Sequence, residues 1–220
     1  MEFTLHRQLK TIYAAKVGLC EQRVQRYRID VIREGRLIEI QFGPLFALKK
    51  KLRCLLATYP VLLVKPVIAT KLIEYRQSSD GATIIRRRSP QRRDLWDVFH
   101  ELVHLVELWQ HGDLILEIPL LHVLEIRRAM SPRRNKQRPQ VLDRHLMTVQ
   151  QTYQFSCGLD WLSVLPPGLP DPFTTAELAS MLQLPRWWAQ QVAYCLRHLD
   201  VFVPCRRSRQ GWLYRLRRAA

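Results

Sequence analysis

The sequence predicts a mixed α/β fold, in which helices flank a sheet, followed by a smaller C-terminal unit of helices and strands. Three observations indicate this. A β-hairpin pattern around Glu34-Gly35 lies between two amphipathic helical segments. An apolar run typical of a buried strand follows at residues 61–68, and the alternating pattern of residues 113–128 predicts one long strand or two. With 220 residues, 47% of them hydrophobic, the chain can build one large or two small domains.

The first predicted element is an amphipathic helix over residues 2–16. Its apolar stripe, which would pack on the sheet, is predicted from the helical spacing of Leu5, Leu9, Ile12, Tyr13 and Lys16. Two strands, over residues 27–32 and 37–42, then form the hairpin, because Gly35 supplies the positive φ that a tight turn needs.

Three polar residues of this hairpin are candidate metal ligands. Side chains alternate across a strand, so Glu39 and Gln41 point to one face while Ile40 points to the other. If Asp30 faces the same side as Glu39, two carboxylates and one amide converge at the end of the sheet. Such oxygen ligands suit a hard divalent cation.

The pattern of Asp30, Glu39 and Gln41 resembles the active-site signature of the PD-(D/E)XK nuclease superfamily, in its variant with Gln at the Lys position. The order of helix, strand hairpin, helix and strand is also similar to the core of that superfamily. Together with the segments IDV, LIEIQ, FTTA and AYCLR, the chain further resembles an uncharacterised bacterial group that carries a C-terminal winged helix.

The resemblance implies a nuclease that depends on Mg²⁺ or Mn²⁺. The implied metal ligands are Asp30, Glu39 and the main-chain carbonyl of Ile40, and the implied catalytic residues are Asp30, Glu39, Gln41 and Glu2. A lysine would stabilise the charge of the transition state, whereas the amide of Gln41 can orient water or donate a hydrogen bond. Glu2 could be an outer ligand or a first-turn acid that the helix dipole favours.

The charge balance favours a polyanionic partner. The chain has 35 Lys and Arg against 19 Asp and Glu, a net charge of +16, which favours DNA ahead of a membrane surface. Five scattered cysteines favour reduced, buried thiols in a cytoplasmic protein over a disulfide framework or a zinc site. We expect neither a signal peptide nor a membrane-spanning segment.

Two basic clusters in the first 130 residues are candidate contacts to the DNA backbone. The first lies on a helix predicted over residues 44–58, and the second follows a hairpin predicted over residues 70–88. Their members are Lys49, Lys50 and Arg53, and then Arg86, Arg87, Arg88, Arg92 and Arg93. A merely solvated surface is the alternative for both. Lys65 could approach the metal site in place of the motif lysine, or snorkel from a strand end.

A helix predicted over residues 94–110 contains a competing motif. His100-Glu101-Leu102-Val103-His104 has the H-E-x-x-H spacing by which zinc proteases present two imidazoles and a Glu base. On a helix, His100, His104 and His111 would share the polar stripe with Glu107. The downstream sequence has no metzincin pattern, which favours adventitious surface binding of zinc or nickel over proteolysis.

A basic linker at residues 131–140 is predicted to separate a nuclease-like domain, 1–130, from a C-terminal region, 141–220. In that region Thr174 and Glu177 form a capping box for one helix, and Pro185 begins a second. Two strands separated by a turn follow, so residues from about 172 to 217 have the order of a winged helix-turn-helix.

The predicted DNA contacts of this unit lie away from the apolar stripe of its second helix and on the wing. They are Arg186, Gln190, Gln191, Arg197, Arg206, Arg207 and Arg209. A winged helix could equally mediate protein contact, including a homodimer. The sequence thus predicts metal-dependent hydrolysis of DNA, and the alternative is a nuclease-like DNA-binding protein without catalysis, a regulator or an architectural factor.

Overall fold

The computed structural model of the chain describes residues 3–110, 113–129, 139–208 and 211–217. The chain divides into two compact units of three segments each. The first comprises Met1–Phe42, Val64–Leu95 and Glu117–Tyr153, and the second comprises Gly43–Leu63, Trp96–Leu116 and Gln154–Ala220. The two units therefore alternate along the chain. Of the predicted linker at 131–140, residues 131–138 lie outside the described residues.

The helices and strands of the described residues have the following bounds. The helices are α1 (Thr4–Ala14), α2 (Lys49–Leu56), α3 (Phe99–Leu102), α4 (Thr175–Leu182) and α5 (Arg186–His198). The strands are β1 (Leu19–Val24), β2 (Tyr27–Arg33), β3 (Arg36–Ile40), β4 (Val61–Val64), β5 (Val67–Arg76), β6 (Thr83–Arg88), β7 (Leu114–Arg128), β8 (Val141–Phe155), β9 (Phe173–Thr174), β10 (Phe202–Ser208) and β11 (Gly211–Leu216). Short 3-10 helices lie at Leu45–Leu48, Leu95–Val98, Val106–Gln110 and Gly158–Val164.

A large mixed sheet of eight strands is flanked by helices, which confirms the predicted α/β class. The strand order is β1-β2-β3-β4-β7-β5-β6, and β8 also pairs with β7. Strands β1, β2 and β3 are antiparallel neighbours, whereas β5 runs parallel to β7 and antiparallel to β6. Helix α1 packs against β1, β2 and β3.

The hairpin predicted around Glu34-Gly35 is confirmed as β2 and β3. Arg33 pairs with Arg36 across the turn. Glu34 and Gly35 have φ values of 53° and 75°, the left-handed conformation that a two-residue turn of type I′ requires at both positions.

Part of the stripe predicted for the first helix is wrong. The buried residues of α1 are Leu5, Leu9, Lys10 and Ala14. Ile12 is instead 52% exposed, and Lys16 lies beyond the end of the helix. Lys10 therefore lies on the buried side of the helix in place of Ile12, and it forms an ion pair with Glu21 of β1. Strand β1 itself has no clear period-2 pattern and was not predicted.

The continuous helix predicted over residues 94–110 is wrong. The segment forms a 3-10 helix, the single turn of α3, and a second 3-10 helix. Four large apolar residues of the segment recur every third position, the period of a 3-10 helix, and all are at most 1% exposed. They are Phe99, Leu102, Leu105 and Leu108. Between the helical pieces, the His104 N–H donates to the Glu101 carbonyl at 3.1 Å.

Two further segments differ in detail from the sequence prediction. The apolar run 61–68 forms two strands, β4 and β5, because Pro66 lacks an N–H and interrupts the pairing. Residues 141–155, at the start of the predicted C-terminal region, form the long strand β8.

The second unit contains the helices and strands predicted near the C-terminus. The capping box is confirmed, since the Glu177 N–H donates to Thr174 Oγ1 at 3.2 Å and the Thr174 N–H donates to Glu177 Oε2 at 2.7 Å. Hairpin β10–β11 follows α5, and β9 adds a third strand beside β11 that the sequence pattern did not predict. The predicted stripe of α5 is buried at Val192, Cys195, Leu196 and Leu199.

The five cysteines are free thiols, but the expectation that all are buried is wrong. Cys20, Cys157 and Cys205 are exposed, whereas Cys195 is completely buried in α5. Burial raises the pKa of the Cys195 thiol to about 12, so this thiol stays protonated and inert at neutral pH.

Gly158 lies where two backbone segments of the second unit come into close contact, beside a cluster of aromatic side chains. Trp161 of the same 3-10 helix is completely buried and stacks on Phe155 with ring centroids 3.6 Å apart. A Cβ atom on Gly158 would lie 2.0 Å from the carbonyl oxygen of Leu199. Only glycine permits this approach without a shift of backbone atoms.

We expect Gly158→Ala to lower the free energy of unfolding by about 1–3 kcal/mol or more, because backbone atoms must move to admit the methyl group. Urea denaturation followed by Trp fluorescence measures this. Gly81→Ala is the control, since its Cβ would meet at closest the flexible Ser78 Oγ at 3.0 Å. Equal stability of both variants would show that the approach of Gly158 to Leu199 is not tight.

Candidate functional site

The structure places Asp30 and Glu39 on one face of the β2–β3 hairpin. Val31 pairs with Ile38, so the next residues outward along the two strands are Asp30 and Glu39. Residues opposite each other in an antiparallel pair point to the same side. Asp30 Oδ2 accepts a hydrogen bond of 2.8 Å from the Ile40 N–H. Asp30 and Glu39 therefore lie on the same face of the hairpin.

Helix α1 places two basic side chains near this carboxylate pair. His6 Nε2 lies 3.6 Å from Asp30 Oδ2, and Lys10 follows His6 by one helical turn. Burial by itself raises the pKa of Asp30. The nearby His6 imidazole, the hydrogen bond from the Ile40 N–H and the positive charge of Lys10 outweigh it and hold the pKa of Asp30 below its usual range. Asp30 is thus ionised at neutral pH.

Gln41 and Lys65 meet different surroundings. Gln41 lies just beyond β3, and its N–H donates to the Val64 carbonyl at 2.9 Å. Lys65 is 4% exposed, and its Nζ lies 3.4 Å from the Phe42 carbonyl oxygen. The expectation that Lys65 snorkels to solvent is wrong, because its ammonium group is enclosed beside the end of the hairpin.

The fit of this site to a divalent cation depends on Asp30, Glu39 and main-chain oxygen. Glu39 is 5% exposed, so its carboxylate is held inside the first unit. Within the described parts of the chain, no group of three or more His, Cys, Asp or Glu side chains could hold a metal ion. Glu2, the predicted outer ligand, lies outside the described residues. Two carboxylates and the Ile40 carbonyl therefore remain the candidate ligands.

The arginines of the second basic cluster divide into two kinds. Arg86 is bonded to Glu74, a completely buried carboxylate that also binds Arg76 and accepts a hydrogen bond of 2.9 Å from Thr83 Oγ1. Arg86 is therefore paired with an internal acid. All six residues of β6 are exposed, so the side chains of Arg87 and Arg88 lie at the surface.

The remaining arginines of this cluster follow β6. Arg92 and Arg93 are also exposed, and Arg92 Nη1 donates to the Ser89 carbonyl at 2.6 Å. The guanidinium of Arg87 lies 5.9 Å from the ring centroid of Tyr75. Local contacts thus orient Arg87 and Arg92 without an acidic partner in those contacts.

The basic face predicted on the helix after the hairpin is present on α2. Lys50 and Arg53 are exposed, and Lys49 forms an ion pair of 2.9 Å with Glu107. Within the second unit, Arg53 and His198 also lie close enough to Glu107 to lower its pKa, after the hydrogen bond from Lys49. The basic face of α2 and the C-terminal end of α5 therefore meet around one exposed carboxylate.

The two histidines of the H-E-x-x-H motif have separate surroundings. His100 Nδ1 lies 2.7 Å from Gln191 Oε1, and the His100 ring stacks beside Trp187 at 5.4 Å. His104 is exposed and meets the edge of the Phe46 ring at 6.0 Å. The turn at residues 103–105 replaces the helix that would have put both imidazoles on one side. The motif therefore joins parts of the second unit through aromatic contacts.

Some of the polar residues predicted to contact DNA from α5 and the wing are bonded within the second unit, and others are exposed. Gln191 is bonded to His100, whereas Gln190 and Arg186 are exposed. Arg206 and Arg207 are exposed on β10. Arg197 lies 3.2 Å from His198 Nε2 and 5.9 Å from the ring centroid of Tyr194. Arg209 lies outside the described residues.

Sequence reasoning missed a buried carboxylate on the central strand. Glu125 of β7 is 1% exposed and is bonded to Arg127 and to Arg144 of β8, with Lys71 of β5 at 3.7 Å. Burial raises its pKa, but the hydrogen bonds from Arg127 and Arg144 outweigh burial and lower it. The signal available in the sequence was a Glu at an inward position of an apolar strand.

Comparison with known proteins adds a family to this geometry. Residues 3–156 match the family model described as "Domain of unknown function (DUF8091)". The chain belongs to this family. An uncharacterized protein of Treponema pallidum (strain Nichols) is 29% identical over 181 residues, which cover 81% of this chain and 71% of that protein. No solved structure matches the chain.

The DUF8091 match contains Asp30, Glu39 and Gln41 and ends before α4 begins.

None of the helices in the described ranges is both long and apolar enough to cross a membrane.

We expect Glu125→Gln to lower the free energy of unfolding at neutral pH by about 2 kcal/mol or more, because it leaves half-buried cationic partners without their carboxylate. The pKa of Glu125 is lower in the folded state. Its stabilisation is therefore complete above the ordinary glutamate pKa of 4.5 and is lost as the pH falls through the lower folded pKa.

Urea denaturation of wild type and variant between pH 7 and pH 3 tests this expectation. The stability difference should hold at neutral pH and shrink in acid. Glu34→Gln, at an exposed turn position, should follow the wild type throughout. A difference that stays constant down to pH 3 would contradict the role of the Glu125 charge.

Proposed function

We propose that this DUF8091 protein binds DNA through basic side chains of its hairpins. The observation that carries the proposal is the exposure of Arg87 and Arg88 on β6 and of Arg206 and Arg207 on β10, in a chain of net charge +16. Exposed arginines neutralise phosphates and release counterions, which supplies affinity independent of base sequence. Arg76 and Arg86 of the first hairpin pair with the buried Glu74, whereas Arg87, Arg88, Arg206 and Arg207 are exposed.

We infer that the C-terminal part of the second unit acts as a winged helix. The order α4, α5, β10, β11 supports this, with β9 as a third strand beside β11. Helix α5 would be the recognition helix, and the hairpin that carries Arg206 and Arg207 would be the wing. Arg186 and Gln190 on α5 would add contacts to phosphates and base edges.

We expect Arg206→Ala/Arg207→Ala to weaken binding to duplex DNA and to reduce the slope of log K against log salt by about 2, because two phosphate contacts are lost. Fluorescence anisotropy of a labelled duplex at several salt concentrations measures both quantities. The control is Arg23→Ala/Arg26→Ala, which removes the same charge from exposed positions of β1 and the turn after it. Equal slopes for the two double variants would exclude the wing as a specific contact.

Metal-dependent hydrolysis of DNA is the second candidate function, and the shared face of Asp30 and Glu39 favours it. In a nuclease-like site these carboxylates and the Ile40 carbonyl would hold Mg²⁺ or Mn²⁺. The bound ion would polarise the scissile phosphate and lower the pKa of an attacking water.

The protein's own groups set the conditions for this chemistry. Asp30 is ionised at neutral pH, as a metal ligand must be. Gln41 offers an amide where a lysine would offer a full positive charge, so it would stabilise the developing charge of the phosphate less. Slow turnover is expected for that reason.

We expect cleavage of supercoiled DNA to require Mg²⁺ or Mn²⁺, to stop with EDTA, and to be abolished by Asp30→Ala. Gel electrophoresis of the DNA measures cleavage, and circular dichroism verifies that the variant folds. Asp80→Ala, an exposed carboxylate in the turn between β5 and β6, is the matched control and should retain activity.

Cleavage retained by Asp30→Ala would exclude this site. If neither the wild type nor the variants cleave DNA while salt-sensitive DNA binding persists, the protein is a nuclease-like DNA-binding protein without catalysis. Gln41 then marks the lost activity.

A further inference from the structure

Helix α5 presents an aromatic stripe to solvent. Trp187 is 56% exposed and Tyr194 is 41% exposed, and Gln190 and His198 are exposed at the same helical spacing. Trp187 and Tyr194 lie two helical turns apart, about 10 Å along the axis. Gln190 can reach a base edge from this stripe, and the two rings beside it add flat surfaces that base-edge contacts do not use.

Contacts within the second unit orient the indole of Trp187. Its ring stacks on that of His100 with an interplanar angle of 25° and on that of Trp188 with an angle of 23°. His100 is in turn held by Gln191, and Trp188 Nε1 donates to the Trp96 carbonyl at 3.1 Å. The exposed indole is therefore the outer layer of an ordered stack of rings.

The surface beside this stripe is basic and carries a further exposed ring. Phe46 is 60% exposed and packs on His104. Helix α2, which carries Lys49 and Arg53, and helix α5 both contact the 3-10 helix Val106–Gln110, where Glu107 pairs with Lys49. On α5 itself, Arg197 lies against the Tyr194 ring. Planar rings and cations thus occur together on one side of the unit.

We propose that this face of α5 and α2 binds single-stranded DNA by stacking unpaired bases on Trp187 and Tyr194. The faces of bases in a duplex are covered by their neighbours, so flat aromatic rings can stack only on unpaired bases. The spacing of the two rings, about 10 Å, corresponds to roughly three bases stacked 3.4 Å apart. Lys49, Arg53 and Arg197 supply the positive charge that follows the phosphates.

The inference rests on the proposed DNA binding and names its preferred form. Gln191 contributes to the preference, because its Oε1 is engaged with His100 and so competes with any base-edge contact. The H-E-x-x-H segment then has a role without metal, since His100 supports Trp187 and His104 supports Phe46.

The test is fluorescence anisotropy with an oligothymidylate of about 16 nucleotides and with a duplex of equal length. We expect the wild type to prefer the single strand. Trp187→Ala should weaken single-strand binding about five- to a hundredfold. Its effect on the duplex should be less than about twofold, because phosphate contacts remain. Tyr194→Ala should act in the same direction, and Trp187→Phe should restore most of the affinity.

Ile12→Ala is the control, since this large apolar side chain is 52% exposed on α1 of the first unit and its loss should not affect the preference for the single strand. Duplex binding without single-strand binding would overturn this inference and leave the proposed function standing. If the wild type binds neither the single strand nor the duplex, both this inference and the proposed function are overturned.

Two results would assign the face to another partner and refute the proposal. One is tighter binding of oligouridylate than of oligothymidylate, which would make RNA the ligand. The other is a dimer in sedimentation that Trp187→Ala converts to monomer at unchanged DNA affinity, which would make the face a contact between copies of the chain.

Discussion

Strand β7 is the element on which most of the sheet depends. Its 15 residues pair with β4, β5 and β8, so its backbone groups are satisfied on both edges. Inward residues such as Leu116, Ile118, Leu121 and Val123 are at most 1% exposed. A strand that is buried along its length must be continuously apolar or must pair each polar side chain that it carries.

The polar side chains of β7 are paired in that way. Glu117 accepts a hydrogen bond from Tyr13 of α1, and Glu125 is enclosed by the guanidinium groups of Arg127 and Arg144. Glu74 of the adjacent strand β5 is bonded to Arg76 and Arg86 in the same manner. These contacts hold long side chains in fixed positions around the sheet. They also neutralise part of the protein's positive charge within ion pairs.

The charge that remains at the surface gives the proposed function its physical basis. Arginines of similar sequence context serve different roles: Arg86 neutralises a buried acid, whereas Arg87 and Arg88 are exposed beside it on β6. At the carboxylate pair of the hairpin, Asp30 is stabilised as an anion by the Ile40 N–H and by the basic side of α1. The first unit therefore carries both an anionic site on the β2–β3 hairpin and exposed arginines on β6.

The sequence by itself determined the local elements whose signals are contained in a few neighbouring residues. Examples are the turn at Glu34-Gly35, the capping box of Thr174 and Glu177, and the apolar stripe of α5. The strand period allowed Asp30 and Glu39 to share a face, and the register that pairs Val31 with Ile38 decided it.

Only the tertiary structure decided which charged and aromatic residues have partners. Arg86 and Glu74 are twelve positions apart, and His100 and Gln191 are 91 apart, so no local pattern indicates their pairing. The break in the helix at residues 94–110 likewise depends on tertiary burial. The apolar side chains that recur every third residue are the ones that the fold buries, and this spacing fits a 3-10 helix instead of an α-helix. The physical reason is that propensity and period act between neighbours, whereas desolvation and hydrogen bonding act between whatever groups the fold brings together.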